Sequence, residues 1–168
     1  MEIVKAATEW AKAEVFSSMF FIAFGILFIS AGIGFWQLGK TELAQAYIIP
    51  ALVAGILLLA IGLGLYFTNK SRISSFPEAY QTDASAFVAS EIVRVEKALG
   101  EYRNIVFKVI PFILIAAALL IFFTEKPIWR ATAIVIIGMM CCIMLIDSNA
   151  NARLTEYRGR LEEVKGRP

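Results

Sequence analysis

The sequence predicts an all-α integral membrane protein with four transmembrane helices, both termini in the cytoplasm (N-in, C-in), and a cytoplasmic helical-hairpin extension of helices 3 and 4. Three observations predict this fold: four long apolar segments, a one-sided distribution of basic residues, and coiled-coil spacing beside the last two segments. The composition agrees, because 59% of the residues are hydrophobic and 18% are charged. Soluble domains are typically about 45–50% apolar and about 25% charged.

The four apolar segments are bounded by charged residues and are 22, 20, 16 and 16 residues long; they are Val15–Trp36, Ile48–Phe67, Val109–Thr124 and Ala131–Ile146. A helix needs about 20 apolar residues to cross the bilayer core of about 30 Å. The first two segments meet this length, and the last two meet it with apolar flanking residues such as Ile105 and Ile128. The first segment is too long for the apolar region of a cleaved signal peptide, so we expect it to be retained.

The basic residues indicate the orientation. Of the 16 lysines and arginines, 13 lie in the N-terminal segment, the middle connection and the C-terminal tail, and 3 lie in the two other connections. The positive-inside rule therefore predicts that both termini face the cytoplasm, in what we expect to be a bacterial inner membrane. The basic tail also contains Glu156, Glu162 and Glu163, which favours a position next to lipid headgroups over a nucleic-acid partner.

The chain divides into five predicted segments. They are an amphipathic cytoplasmic lead-in (1–14), a first transmembrane hairpin (15–67), a cytoplasmic loop and helix (68–104), a second transmembrane hairpin (105–147) and a cytoplasmic basic helical tail (148–168). Trp10 in the lead-in suits the membrane interface. The polar residues and Pro77 in 68–83 indicate a loop, and one helix is expected from about 84 to 123, kinked near Pro111.

Two apolar seams lie in the predicted cytoplasmic segments. Their residues are spaced three or four apart, as in a coiled coil; they are Val88, Ile92, Val95, Leu99 and Tyr102 before the third span, and Leu154, Tyr157, Leu161 and Val164 after the fourth. Antiparallel spans joined by a short turn leave the bilayer side by side, so the seams predict a helical hairpin. The alternative is two separate helices that lie on the lipid headgroups.

Small residues recur every seven positions in the first two spans. They are Ser18, Gly25 and Gly32 in the first and Gly55 and Gly62 in the second. Residues seven apart lie on nearly one helical face, so these predict a groove for close helix packing within the bilayer. A phosphate-binding loop is the alternative reading of the Gly-x-Gly pairs, but such a loop needs a preceding strand, which the apolar spans exclude.

The sequence offers no candidate catalytic, cofactor or metal site. It contains no histidine, and no Asp, Glu, Lys or Arg lies within the four apolar segments. Ionisable side chains at membrane depth are the usual sign of ion or proton transport. The neighbouring Cys141 and Cys142 point about 100° apart on a helix, so we interpret them as small apolar residues and not as metal ligands.

These features favour a non-catalytic membrane protein that binds a protein partner in the bilayer or the cytoplasm, or associates with itself. Two versions are an immunity protein against a membrane-acting toxin and an accessory or anchor subunit of a larger complex. The alternatives are an oligomeric channel, since hydrophobic pores can open and close by wetting, and a small exporter. A channel would require a ring of several chains.

Overall fold

The computed structural model describes residues 2–166, and these residues form helices and short turns without any strand. The helices are α1 (Glu2–Leu38), α2 (Glu42–Ala46), α3 (Ile48–Thr82), α4 (Ala84–Glu101), a π-helical segment (Tyr102–Val109), α5 (Ile110–Phe123) and α6 (Pro127–Lys165). Four helical runs are long and apolar enough to cross a membrane, with α4, the π-helical segment and α5 forming one of them. The prediction of an all-α protein with four such helices is therefore confirmed.

Each of the four runs is longer than a bilayer requires. At 1.5 Å per residue, the 37 residues of α1 extend over about 55 Å, whereas the apolar core of a membrane is about 30 Å thick. The excess lies at one end of the bundle, where the chain termini are found. We call this end the polar half (residues 2–14, 69–101 and 147–165) and the remainder the apolar half.

The glycines bring the backbones of α1 and α3 into direct contact. A Cβ placed on Gly25 would lie 2.8 Å from the backbone nitrogen of Leu59, and one on Gly55 would lie 2.7 Å from the backbone nitrogen of Ile29. Gly62 faces Ile22 at 2.8 Å in the same way. These pairs show that α1 and α3 run antiparallel. Close approach of this kind is a main source of helix association in lipid, where burying apolar surface yields little.

The other small residues occupy different environments. Gly32 faces the side chain of Leu52, whereas a Cβ on Gly34 or Gly64 would meet no atom within 4 Å. Ser18 is buried, and its hydroxyl donates a hydrogen bond to the carbonyl oxygen of Val15. The glycines with the seven-residue spacing thus lie at the helix contact, whereas Gly34 and Gly64 lie on open surfaces.

The remaining helices of the apolar half pack less evenly. α6 contacts both α1 and α3, and Phe21, Leu58 and Ile146 form a small buried cluster there. Among the described residues, α5 contacts α6 and the π-helical segment but neither α1 nor α3. α5 therefore lies at one side of the bundle, next to α6 and away from α1 and α3.

The interpretation of residues 68–83 as a loop is wrong, because α3 continues to Thr82. Pro77 lies inside the helix, where its missing N–H removes one backbone hydrogen bond. Packing of its neighbours offsets that loss: Phe76 is buried and meets Phe87 edge-to-face at 5.6 Å. Only Asp83 separates α3 from α4, and its carboxylate accepts hydrogen bonds from the backbone N–H groups of Ser85 and Ala86.

The amphipathic lead-in is not a separate interfacial helix either. Residues 2–14 are the first turns of α1. Trp10 is 8% exposed and packs inside the bundle, whereas the sequence predicts it at the membrane interface. One hydrophobic cluster joins α1, α3, α4 and α6 in the polar half. The extension of α4 and α6 is thus part of a four-helix arrangement, because α1 and α3 also supply apolar side chains that need burial.

A π-helical segment precedes Pro111, near the position where we predict a kink. Proline cannot donate a backbone hydrogen bond, and its ring clashes with the carbonyl group four residues earlier. In the widened turn, the N–H of Ile110 bonds to the carbonyl oxygen of Ile105, five residues back. The extra residue per turn accommodates Pro111 while the helix continues into α5.

Alanine substitutions should separate the two kinds of glycine. We expect Gly25→Ala and Gly55→Ala to destabilise the protein by about 1–3 kcal/mol, because the new methyl group meets backbone atoms that cannot rotate away. Gly34→Ala and Gly64→Ala should be neutral or stabilise by up to about 1 kcal/mol, because they add helix propensity in open space. Unfolding in mixed detergent micelles measures the difference, and equal effects at all four sites would contradict the contact.

Candidate functional site

The structure places the two seams side by side where α4 and α6 pack in the polar half. Val88, Ile92 and Val95 of α4 are buried there, with Leu99 and Tyr102 partly buried. From α6, Leu154, Tyr157 and Leu161 are buried, and Val164 packs against the same cluster. The seam residues therefore share one core, to which the indole of Trp10 and the ring of Phe76 also belong.

Charged side chains lie at the centre of this apolar core. We call the side chains of Trp10, Arg72, Glu91, Arg94 and Tyr157 the polar core; they come from all four long helices. Glu91 is only 5% exposed, and Arg94 donates two hydrogen bonds to its carboxylate oxygens, at 2.8 and 2.7 Å. The hydroxyl of Tyr157 donates a third, at 3.0 Å.

These three hydrogen bonds allow a carboxylate to be buried. Removing an ionised group from water costs several kcal/mol, and good geometry with further hydrogen bonds offsets that cost. Burial, and then the nearby Glu91, raise the pKa of the Tyr157 hydroxyl well above its usual range. Tyr157 therefore stays protonated at neutral pH and remains a donor to Glu91.

Trp10 lies against the other members of the polar core. Its ring stacks on Tyr157 with a centroid distance of 5.7 Å and an interplanar angle of 12°. The guanidinium carbons of Arg94 and Arg72 lie 4.4 and 5.8 Å from the indole centroid. Such cation–π contacts contribute about 0.5–1 kcal/mol when exposed and about 2 or more when desolvated.

A second buried ion pair joins α1 to α6 near the boundary of the two halves. Glu14 is 8% exposed, and Arg153 donates to its Oε1 atom at 2.9 and 3.2 Å. Arg153 also donates to the Ser17 hydroxyl at 2.8 Å. The buried carboxylate of Glu14 is thus neutralised by a specific partner.

A crevice of about 470 Å³ opens at the junction of the two halves. Its wall toward the apolar half contains Phe21, Ile61, Leu65, Ile105, Val106 and Ile143. Its wall toward the polar half contains Asn69, Arg72, Arg94, Lys97, Tyr102 and Asp147, together with Trp10, Glu14 and Glu101. The crevice therefore has an apolar end and a charged end.

The environment of the crevice shifts the pKa of the Arg72 guanidinium and of the Tyr102 hydroxyl. Burial, and then the positive charge of Arg94, lower the pKa of the Arg72 guanidinium, although arginine stays charged at any ordinary pH. Burial, and then Glu14 and Asp147, raise the pKa of the Tyr102 hydroxyl well above its usual range. The crevice thus contains a desolvated cation and a hydroxyl that remains a hydrogen-bond donor.

The outward side of α4 contrasts with this charged interior. We call Ala86, Ala89, Ser90 and Val93 the α4 outer face, because they are exposed and recur at helical spacing. Val93 is 67% exposed, whereas Glu91 two residues earlier is buried. A helix on a water-facing surface normally has the opposite arrangement. The structure therefore turns a charged side chain inward and a branched apolar one outward.

The described residues can be compared with the usual requirements of a metal site or a reactive thiol. Within residues 2–166, no three His, Cys, Asp or Glu side chains are grouped as metal ligands. Cys141 and Cys142 are free thiols on α6 in the apolar half. The crevice presents hydrogen-bond donors, charges of both signs and apolar walls.

Comparison with known proteins identifies no matching family model, no similar curated protein and no similar solved structure. The functional interpretation therefore depends on the residues of this chain.

The sequence reasoning missed the buried polar side chains of α1 and α3, although a signal for them exists. In α1, every third or fourth residue from the start is buried: Ile3, Ala7, Trp10, Glu14, Ser17 and Phe21. In α3, the spacing of Gly55 and Gly62 continues through Asn69 to Phe76, which are also buried. The charged and polar members of these repeats could have been identified as buried before the structure was known.

Trp10 allows the polar core to be tested. We expect Trp10→Ala to destabilise the protein by about 3–5 kcal/mol, because it removes a large buried ring that contacts three helices. Trp10→Phe should cost much less, since it keeps an aromatic ring and the lost Nε1–H has no acceptor among residues 2–166. Thermal unfolding in detergent provides the measurement. A Phe variant as unstable as the Ala variant would show that the ring contacts do not provide the stability.

Proposed function

We propose that this protein is a non-catalytic integral membrane protein that acts by binding another protein, and that the α4 outer face is the binding surface. An immunity protein against a membrane-acting toxin and an accessory or anchor subunit are the two versions that fit this proposal. In both, the apolar half anchors the chain in the bilayer, and the polar half presents a surface to the partner.

The observation that supports this proposal is the reversed polarity of α4. Single exposed apolar residues such as Val93 are common on protein surfaces. A buried charged residue such as Glu91 on the same helix is uncommon. Burying Glu91 requires three hydrogen bonds from two residues, whereas an exchange of polarity between positions 91 and 93 would avoid that cost. A partner that covers Val93 accounts for the arrangement, because the valine is then buried in the complex.

The length of the polar half supports a partner outside the lipid. A protein that acted only among lipid chains would not need helices that extend about 20 Å or more beyond the bilayer core. The polar core fastens all four extensions to one another, so that the α4 outer face is held in a defined position. Preorganised surfaces of this kind bind with a smaller entropic cost.

We further propose that the protein lies in a bacterial inner membrane, with the polar half and both chain termini on the cytoplasmic side. The support is the distribution of basic residues: 13 lie in the N-terminal segment, the middle connection and the C-terminal tail, and 3 lie in the two other connections. The extension of α4 and α6 would then be cytoplasmic, and α2 would lie outside.

Cysteine labelling tests the orientation. In a chain with Cys141→Ala and Cys142→Ala, we expect Thr41→Cys to react with a membrane-impermeant maleimide in intact cells, because it lies between α1 and α2. Ser71→Cys should react only after the cells are opened. Both positions are exposed, so access to the reagent is decided by the membrane. Labelling of position 71 in intact cells would reverse the proposed orientation.

Site-specific photocrosslinking tests the binding surface. A photoreactive amino acid at position 89 or 93 should give a discrete crosslinked product with one protein in living cells, because these residues would lie inside the interface. Position 155 on α6 is the matched control, since Thr155 is exposed in the same polar half on a different helix. The product should disappear when Ala89→Glu is added to the chain that carries the probe at position 93.

The outcomes separate the functional classes. A crosslink between two copies of this chain would assign the face to self-association. No product at positions 89 and 93, with an intact and inserted protein, would contradict the proposed surface. Ion conductance of the purified protein in planar bilayers would instead favour an oligomeric channel, whereas a binding protein should give none.

A further inference from the structure

We propose that the crevice binds one zwitterionic membrane phospholipid whose headgroup contains a phosphate and a primary ammonium group. The phosphate lies beside Arg72 and Lys97 at the charged end. One acyl chain extends along the apolar wall, where Ile61, Leu65 and Ile105 line the crevice.

Two cations at the charged end have no acidic partner among residues 2–166. Arg94 is committed to Glu91, but Arg72 donates only to the neutral Oδ1 atom of Asn69, at 2.8 Å. Neither Arg72 nor Lys97 forms an ion pair within the described part of the chain. A phosphate supplies the acceptor that a desolvated guanidinium lacks, and guanidinium–phosphate hydrogen bonds are among the strong ones. The protonated Tyr102 hydroxyl, which also lines the crevice, is a further donor to phosphate oxygens.

The acidic groups of the crevice select the rest of the headgroup. Glu14 is neutralised by Arg153, whereas Glu101 and Asp147 have no ion pair among residues 2–166. Two free carboxylates beside two free cations match a ligand that contains both signs of charge. A primary ammonium can donate up to three hydrogen bonds to such carboxylates, and a headgroup without a cation would leave them unpaired.

The shape of the crevice indicates that the ligand comes from the bilayer. α5 contacts neither α1 nor α3 within the described residues, and none of its residues lines the crevice. Ile61, Leu65 and Ile105 are exposed at this level and offer an apolar path from the surrounding lipid. A free phosphate would need only the charged end, whereas a phospholipid uses both ends.

Retained lipid can be measured on the full-length protein by native mass spectrometry after mild detergent extraction. We expect the wild-type chain to keep a bound phospholipid. The double variant Arg72→Gln with Lys97→Gln should retain it about tenfold to hundredfold less, since each lost charge-assisted contact is worth about a factor of ten. The matched control is Lys70→Gln with Lys108→Gln. These lysines are exposed and hydrogen-bond only to Tyr66 and Asn104, so the control removes the same charge outside the crevice. Equal retention by the two double variants would overturn the proposal.

Addition of defined ligands to the delipidated wild-type protein identifies the source and the headgroup. We expect phosphatidylethanolamine to raise the unfolding temperature more than phosphatidylglycerol does, and inorganic phosphate to have no effect. If inorganic phosphate alone gave the same increase, the site would be an anion site and the lipid assignment would be wrong. If phosphatidylglycerol were equal or better, the zwitterionic assignment would be wrong.

Crosslinking of the wild-type chain provides a measurement that does not depend on variants. Phosphatidylethanolamine with a photoreactive diazirine in its acyl chain should label peptides that contain Leu65 and Ile105 above the level found on the exposed residues of α5. Phe112 and Phe122 of α5 are exposed and sample general contact with lipid. Labelling that is uniform over these peptides would overturn the proposed path of the acyl chain, even if the double variant failed to fold.

Discussion

The close contact between the backbones of α1 and α3 determines most of the structure. Gly25 and Gly55 allow the two helices to approach until a methyl group would not fit between them. Because both helices continue past this contact without interruption, their residues also meet in the polar half. The same antiparallel register that pairs Gly62 with Ile22 brings Arg72 to Trp10. The glycine contact in the apolar half thus positions the side chains of the polar core.

The two halves of the bundle are stabilised by different interactions. In lipid, helices gain little from burying apolar side chains, so α1 and α3 depend on van der Waals contact, and α5 has few buried residues. In the polar half, burial from water is favourable, and one cluster collects apolar side chains from four helices. The ion pair of Glu14 lies where the environment changes, and that of Glu91 lies within the cluster of the polar half. Their geometry restricts how the helices can rotate, which an apolar core alone would restrict less.

Much of the architecture follows from patterns in the sequence, and the failures have physical causes. Four apolar helices could be predicted because long apolar segments have few alternatives in a chain of this composition. The end of α3 was misjudged because Pro77 and several serines favour a loop locally, whereas burial of Phe76 against α4 outweighs them. The partner of Glu91 could not be inferred from helix spacing alone. Arg94 is three residues away on the same helix, but Tyr157 comes from α6, 66 residues later.

α4 connects the two surfaces to which we assign functions. Its inner side contributes Arg94 to the crevice and to the bond with Glu91, and its outer side contributes Val93 to the proposed protein interface. The π-helical segment joins α4 to α5, and its wider turn holds Val106 buried while Ile105 stays exposed beside the crevice. A ligand that lies against Lys97 and Ile105 therefore contacts the same continuous helix as a partner at Val93. Arg94 lies on α4 itself, whereas Tyr157 belongs to α6, so a rotation of α4 would break the buried hydrogen bond from Tyr157 to Glu91. The helix consequently has one preferred orientation, in which Lys97 lines the crevice and Val93 is exposed on the other side.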